Sequence, residues 1–183
     1  MFQLLLIIIY LAFISLGLPD SLLGSAWPSM YGELNVAVSY AGIISMIIAG
    51  GTIVSSLFSD KLIRKFGTGF VTVVSASMTA AALFGFSASH SFAELCLWGI
   101  PYGLGAGSVD AALNNFVALH YKSRHMSWLH CFWGIGATTG PYIMGLCLAG
   151  GKRWNSGYQA VGVIQVVLVI ILLLSLSLWR TGI

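Results

Sequence analysis

Charge is what this chain most lacks. In 183 residues there are 8 Lys and Arg and 5 Asp and Glu, so charged residues make up 7%, against roughly 25% in an ordinary soluble domain. That leaves too little polar surface to cover a water-soluble globule of this size. The net charge of +3 sits in short clusters between apolar runs, so it reads as topology information, and no nucleic-acid partner is implied. Cysteine is scarce too. Cys96, Cys131 and Cys147 are odd in number, lack C-x-x-C spacing and fall in apolar stretches, which excludes a disulfide framework and points to free buried thiols. No Walker loop, H-E-x-x-H helix or G-x-S-x-G elbow occurs, so ATPase and hydrolase chemistry have no support. No enzyme activity, cofactor or metal is expected.

What the chain has is apolar length: 58% of its residues are hydrophobic and the mean hydropathy is +0.93. A spanning helix needs about 20 mostly apolar residues. Six stretches qualify, at 2–27, 38–58, 69–87, 92–119, 127–149 and 157–179. The expected fold is therefore an all-α, multi-pass integral membrane protein in contact with lipid. Residues 2–18 carry the apolar run of a signal peptide but no basic n-region or cleavage site, so they are read as the first membrane helix. Lys61, Arg64, Lys65, Lys122, Arg124 and Arg180 follow even-numbered stretches, whereas only Lys152 and Arg153 lie on the other side. The positive-inside rule then puts both termini in the cytoplasm, in a bacterial-type plasma membrane. Trp27, Trp154 and Trp179 lie near expected helix ends and read as interfacial anchors.

Laid on itself with an offset of 90 positions, the chain aligns Gly17, Asp20 and Leu23 with Gly107, Asp110 and Leu113. Three helices separate the copies, so the repeats, at about 1–88 and 89–183 of a single module over 1–183, would have inverted topology. That is a common transporter design. Each repeat then contributes one acid. An ionisable residue buried in a membrane helix is costly and marks a functional position by default.

Asp20 follows Pro19, which removes a backbone hydrogen bond, and Gly17 and Gly24 permit bending or close approach. A structural role, bonding nearby backbone at a kink, is the other reading of Asp20. Asp110 and Asn114 stand four apart on one helical face, with Gly103, Ala106 and Gly107 on the turns before, leaving room beside the acid. Asn114 and Asn115 offer donors and acceptors suited to a hydroxylated solute; interhelical glue is their alternative role. His130 and Trp133 share a face and can titrate and stack at the border of a binding site, or can simply be satisfied at an interface. Glu33 and Glu94 read as structural, the latter at a helix start. The spacings around Gly103, Gly107, Gly136, Gly140 and Pro141 mark close helix contacts and bends.

The stretch Ser59-Asp60-Lys61-Leu62-Ile63-Arg64-Lys65-Phe66-Gly67-Thr68 resembles the signature loop of the major facilitator superfamily. The run G-x-G-x-x-D-x-x-x-N-x-F-V at 105–117 and the opening G-L-P-D-S-L-L-G-S-A-W-P at 17–28 are similar to acid-bearing helices of its fucose permease-like branch. The resemblance covers one six-helix half of a twelve-helix architecture. It implies that Asp20 and Asp110 serve proton coupling or substrate binding and that Asn114 lines a cavity. It also implies that Asp60, Lys61, Arg64 and Lys65, with Gly67, form a cytoplasmic latch between halves. An arginine common in drug exporters would fall near Gly99 and is missing, and the glycine-proline run at 136–145 lacks the exporter's doubled terminal glycine. The expected function is proton-coupled uptake of a small sugar-like solute by alternating access. A proton-driven drug or metabolite exporter, or a non-transporting half-module packed on a membrane partner, are the alternatives. The second half is expected either as the rest of a longer chain or as a second copy in a homodimer.

Overall fold

The computed structural model describes residues 2–180. Among them there are eight helices and no strand: α1 (Phe2–Asp20), α2 (Leu22–Glu33), α3 (Tyr40–Phe66), α4 (Thr68–Ala88), α5 (Phe92–His120), α6 (Ser123–Ala149), α7 (Trp154–Leu174) and α8 (Leu176–Arg180). The six expected stretches become eight helices because the first and the last are each interrupted. Pro19 has no N–H to give the carbonyl of Ser15, and Ser21 leaves the helical region at φ −104°, ψ 1°, so the opening segment breaks into α1 and α2. The hydroxyl of Ser25 donates to the carbonyls of Ser21 and Leu22 at 3.1 and 3.0 Å, which satisfies backbone groups that the break leaves open.

Among the described residues four spans are long and apolar enough to cross a membrane: Phe2–Glu33 taken as one, Tyr40–Phe66, Thr68–Ala88 and Trp154–Leu174. At 29 and 27 residues, α5 and α6 have the length, but Asp110, Asn114, Asn115 and His130 dilute their apolarity.

The connections are short and chemically explicit. After α2, Asn35 takes the left-handed conformation (φ 54°), and Val36 and Asn35 donate back to Tyr31 and Gly32 at 3.1 and 3.3 Å, a Schellman ending. Gly67 alone separates α3 from α4, with φ +85°, a conformation that favours glycine. Ser91 and Glu94 cap α5: the Ser91 hydroxyl accepts the Glu94 N–H at 3.3 Å, while the Glu94 carboxylate accepts the His90 N–H at 3.0 Å.

Two glycine-lined crossings set the packing. Where α1 meets α6, a Cβ on Gly136 or Gly140 would overlap the carbonyls of Ile14 or Leu18, and one on Gly17 would overlap that of Trp133. Where α3 meets α5, a Cβ on Gly103 would overlap the carbonyl of Ile48, and Gly107 lies against Thr52 and Ser55. The room expected beside Asp110 on those turns is thus taken up by α3. α4 is the most enclosed helix, packed on α5 and α7, and a buried polar link joins it to α1: Ser15 donates to Gln165 of α7, whose amide donates to Thr79 at 2.8 Å. By contrast, α3 buries only Ile44, Ser55 and Ser59, and α6 only Leu129, Gly136, Gly140 and Met144.

The three tryptophans read as interfacial anchors are buried in protein, each 5% exposed or less. Their N–H groups find partners there: Trp27 donates to the Val38 carbonyl at 2.7 Å, Trp154 to Glu33 at 3.0 Å and Trp179 to Ser175 at 3.2 Å. Glu33 is the last residue of α2 and not part of a loop, and the same carboxylate oxygen pairs with Arg153 at 2.8 Å.

Candidate functional site

The α1 to α2 break opens onto a cavity of about 560 Å³, lined by Pro19, Asp20 and Ser21 from the break and by residues of α3, α4, α5, α6 and α7. Asp20, the last residue of α1, is exposed to it. Both carboxylate oxygens are engaged: Oδ1 accepts the hydroxyl of Tyr102 on α5 at 2.9 Å, and Oδ2 accepts the indole Nε1–H of Trp133 on α6 at 3.0 Å. One side chain therefore ties three helices. Bonds of this kind, with a charged acceptor, are stronger than neutral ones.

The local sequence explains the arrangement. Gly17, one turn before Asp20, lets the α6 backbone at Trp133 come into contact, and that approach brings the indole within reach of the acid. The rest of the cavity mixes aromatic faces with hydroxyls. Phe86 stands at 6.0 Å from Tyr102 and 5.6 Å from Tyr158, ring centre to ring centre. Ser21, Ser25 and Ser45 line the same space. Tyr158 lines this cavity, and among the described residues its hydroxyl has no hydrogen-bond partner.

Asp110 sits eight residues beyond Tyr102 on α5, about 12 Å further along the helix at 1.5 Å per residue, and does not line this cavity. Its partner is on its own helix: Nδ2 of Asn114 donates to Asp110 Oδ1 at 3.0 Å and to its backbone carbonyl at 2.9 Å. The His130 ring packs edge-on against Phe13 of α1 at 6.2 Å. Asn115 is exposed. The candidate residues thus divide into Asp20 with Trp133 and Asp110 with Asn114 on its own helix, while His130 lies against α1. Pro141 lines the Asp20 cavity, while Gly103, Gly107, Gly136 and Gly140 lie in the helix crossings.

The basic motif is helical and not a loop, because α3 runs through to Phe66. Asp60 and Arg64 pair at 2.6 Å across one turn, both well exposed, and Lys61 and Lys65 lie over the rings of Phe58 and Phe66 at 5.8 and 5.2 Å. Cations in the last turn suit the negative end of the helix.

Sequence reasoning missed Tyr102, Tyr158 and Gln165. Tyrosine in an apolar run reads as core, and a separation of 82 positions between Asp20 and Tyr102 carries no local signal. Gln165 was the one detectable case, as a lone amide in the apolar run of 161–174.

None of the curated proteins matches the chain. Residues 9–182 match the family profile described as Major Facilitator Superfamily, which covers nearly all of the sequence and agrees with an all-helical, strongly apolar structure. This integral membrane chain belongs to the Major Facilitator Superfamily, a family of transporters and not of enzymes.

Proposed function

We propose that the chain is a six-helix half of a secondary transporter that couples proton movement to uptake of a small, sugar-like polar solute by alternating access. The observation that carries this reading is the position of Asp20: an acid at a broken helix, facing a cavity of about 560 Å³, and held by one donor from each of two other helices. Discontinuous helices at the binding site are a recurring feature of secondary transporters. Protonating Asp20 removes the charge that makes both bonds strong, so it loosens the tie between α1, α5 and α6. Solute hydroxyls then compete for Asp20, the Tyr158 hydroxyl and the serines, while the aromatic faces suit an apolar ring face. Asp110, with Asn114 and His130, would hold the proton in the other half of the helix bundle.

The packing supports two inverted three-helix repeats at about 1–88 and 89–183, and the placement of Lys61, Arg64, Lys65, Lys122, Arg124 and Arg180 supports both termini on the cytoplasmic side. If α1 with α2 corresponds to α5, and α3 to α6, then the glycine crossing of α1 on α6 and that of α3 on α5 are one contact made twice. The sparsely buried faces of α3 and α6 support a second six-helix half completing the cavity, either within one longer chain or as a second copy. In that assembly the exposed Asp60 and Arg64, paired across one turn, would latch the halves.

The test is uptake of radiolabelled monosaccharides into membrane vesicles carrying the chain, with an acid-outside gradient. The reading expects accumulation that collapses with a protonophore and is absent in Asp20→Asn. Accumulation that survives both would contradict it.

A further inference from the structure

A second concavity lies away from the Asp20 cavity, where α3 and α4 diverge over α5. It encloses about 320 Å³ between Phe58, Leu62 and Phe66 on one side and Phe70, Val74 and Met78 on the other. These six side chains are apolar, and five of them are well exposed, so the crevice opens outward. Three serines, Ser55, Ser75 and Ser108, are the polar residues of its lining, against nine apolar ones, and the Ser55 hydroxyl donates back to the Thr52 carbonyl at 3.1 Å.

The lining on α3 runs from Val54 to Phe66, twelve residues or about 18 Å at 1.5 Å per residue. One leaflet of hydrocarbon is about 15 Å thick, half of a roughly 30 Å core. The crevice therefore spans a leaflet in depth, and its mouth is basic. Lys61 lies over the ring of Phe58 at 5.8 Å and Lys65 over that of Phe66 at 5.2 Å, and both rings are walls of the crevice. Asp60 is engaged by Arg64, and among the described residues neither lysine has a carboxylate partner. Standing four apart, the two ammonium groups share one helical face.

We propose that this crevice binds an anionic phospholipid, with one acyl chain lying between α3 and α4 and its phosphate held by Lys61 and Lys65. An apolar slot one leaflet deep, ending at two unpaired cations, is complementary to that molecule in both shape and charge.

Native mass spectrometry of the purified full chain, released from mild detergent with phosphatidylglycerol or phosphatidylcholine of matched chains, tests this. The wild type is expected to retain phosphatidylglycerol preferentially. Lys61→Ala with Lys65→Ala should lower that preference about tenfold or more, the scale of two basic residues near an anionic headgroup. Val74→Trp, at an exposed wall position, should reduce retention of both lipids by filling the slot, and Lys152→Ala at the opposite end of the helices should change neither. Equal retention of the two lipids, or a preference unchanged in the double lysine variant, overturns the proposal. So does a Leu62→Cys variant that crosslinks in membranes to a protein helix rather than to a photoreactive lipid chain.

Discussion

Asp20 and Asp110 sit in the same short pattern, a glycine three residues before and a leucine three after, yet they end in different surroundings. Pro19 stops α1 at Asp20, so the acid stands at a helix end where it can reach across to Tyr102 and Trp133. Asp110 lies in the uninterrupted 29-residue α5 and is satisfied by Asn114 one turn away. The break after Asp20, at Ser21, thus leaves one acid as a joint between three helices, while the other, in a helix that runs on past its own Pro101, is a local pair. The first is sensitive to the relative position of helices; the second moves as a unit with α5.

Substitutions at the two acids break this comparison most strongly. Asp20→Asn gives up two charge-assisted bonds, each worth roughly 1.5 to 3 kcal/mol, so initial uptake in vesicles should fall by about 100-fold or more. Asp110→Asn should abolish accumulation against a gradient while leaving downhill exchange measurable. Equal loss of both activities in the two variants would erase the distinction.

The glycines that bring the donors to Asp20 come next. Gly140→Leu places side-chain atoms on the Leu18 carbonyl and should destabilise the protein by about 1 to 3 kcal/mol, as overpacking does, read as a lower melting temperature in detergent. Gly145→Leu, on the same helix with nothing within 4 Å, should melt like the wild type.

A smaller effect is expected at the donors. Trp133→Phe keeps the ring and removes one bond to Asp20, for a change in uptake of about tenfold at roughly 1.4 kcal/mol. The smallest belongs to Asn114→Ala, where the acid loses only its neighbour on the same helix; about a two- to fivefold effect, on the scale of a weak hydrogen bond, is expected in the same assay. A larger effect at Asn114 than at Trp133 would reverse the roles assigned to the two acids.

Much of this was legible in the sequence, and the remainder was not for identifiable reasons. Membrane character followed from the scarcity of charge, and the position of Asp20 at a bend followed from Pro19. The i to i+4 relation of Asp110 and Asn114 is local, so it could be read directly. The partners of Asp20 could not, because they arrive from helices far along the chain through crossings whose depth depends on what each glycine meets. The small residues before Asp110, read as leaving room beside the acid, admit the backbone of α3 instead. The tryptophans taken for interfacial anchors were misread because their N–H groups are satisfied by Val38, Glu33 and Ser175 inside the protein.

The most direct test of the central claim, that Asp20 is a titrating acid on a water-filled cavity, needs no knowledge of the solute. A carbodiimide modifies protonated carboxyls, and peptide mass spectrometry of the treated protein in membranes reads each site separately. The account predicts modification at Asp20 that decreases as pH rises and is stronger in the Trp133→Phe variant, where one bond to the carboxylate is gone. An unmodified Asp20 at every pH, with Asp110 modified in the same sample, would contradict it.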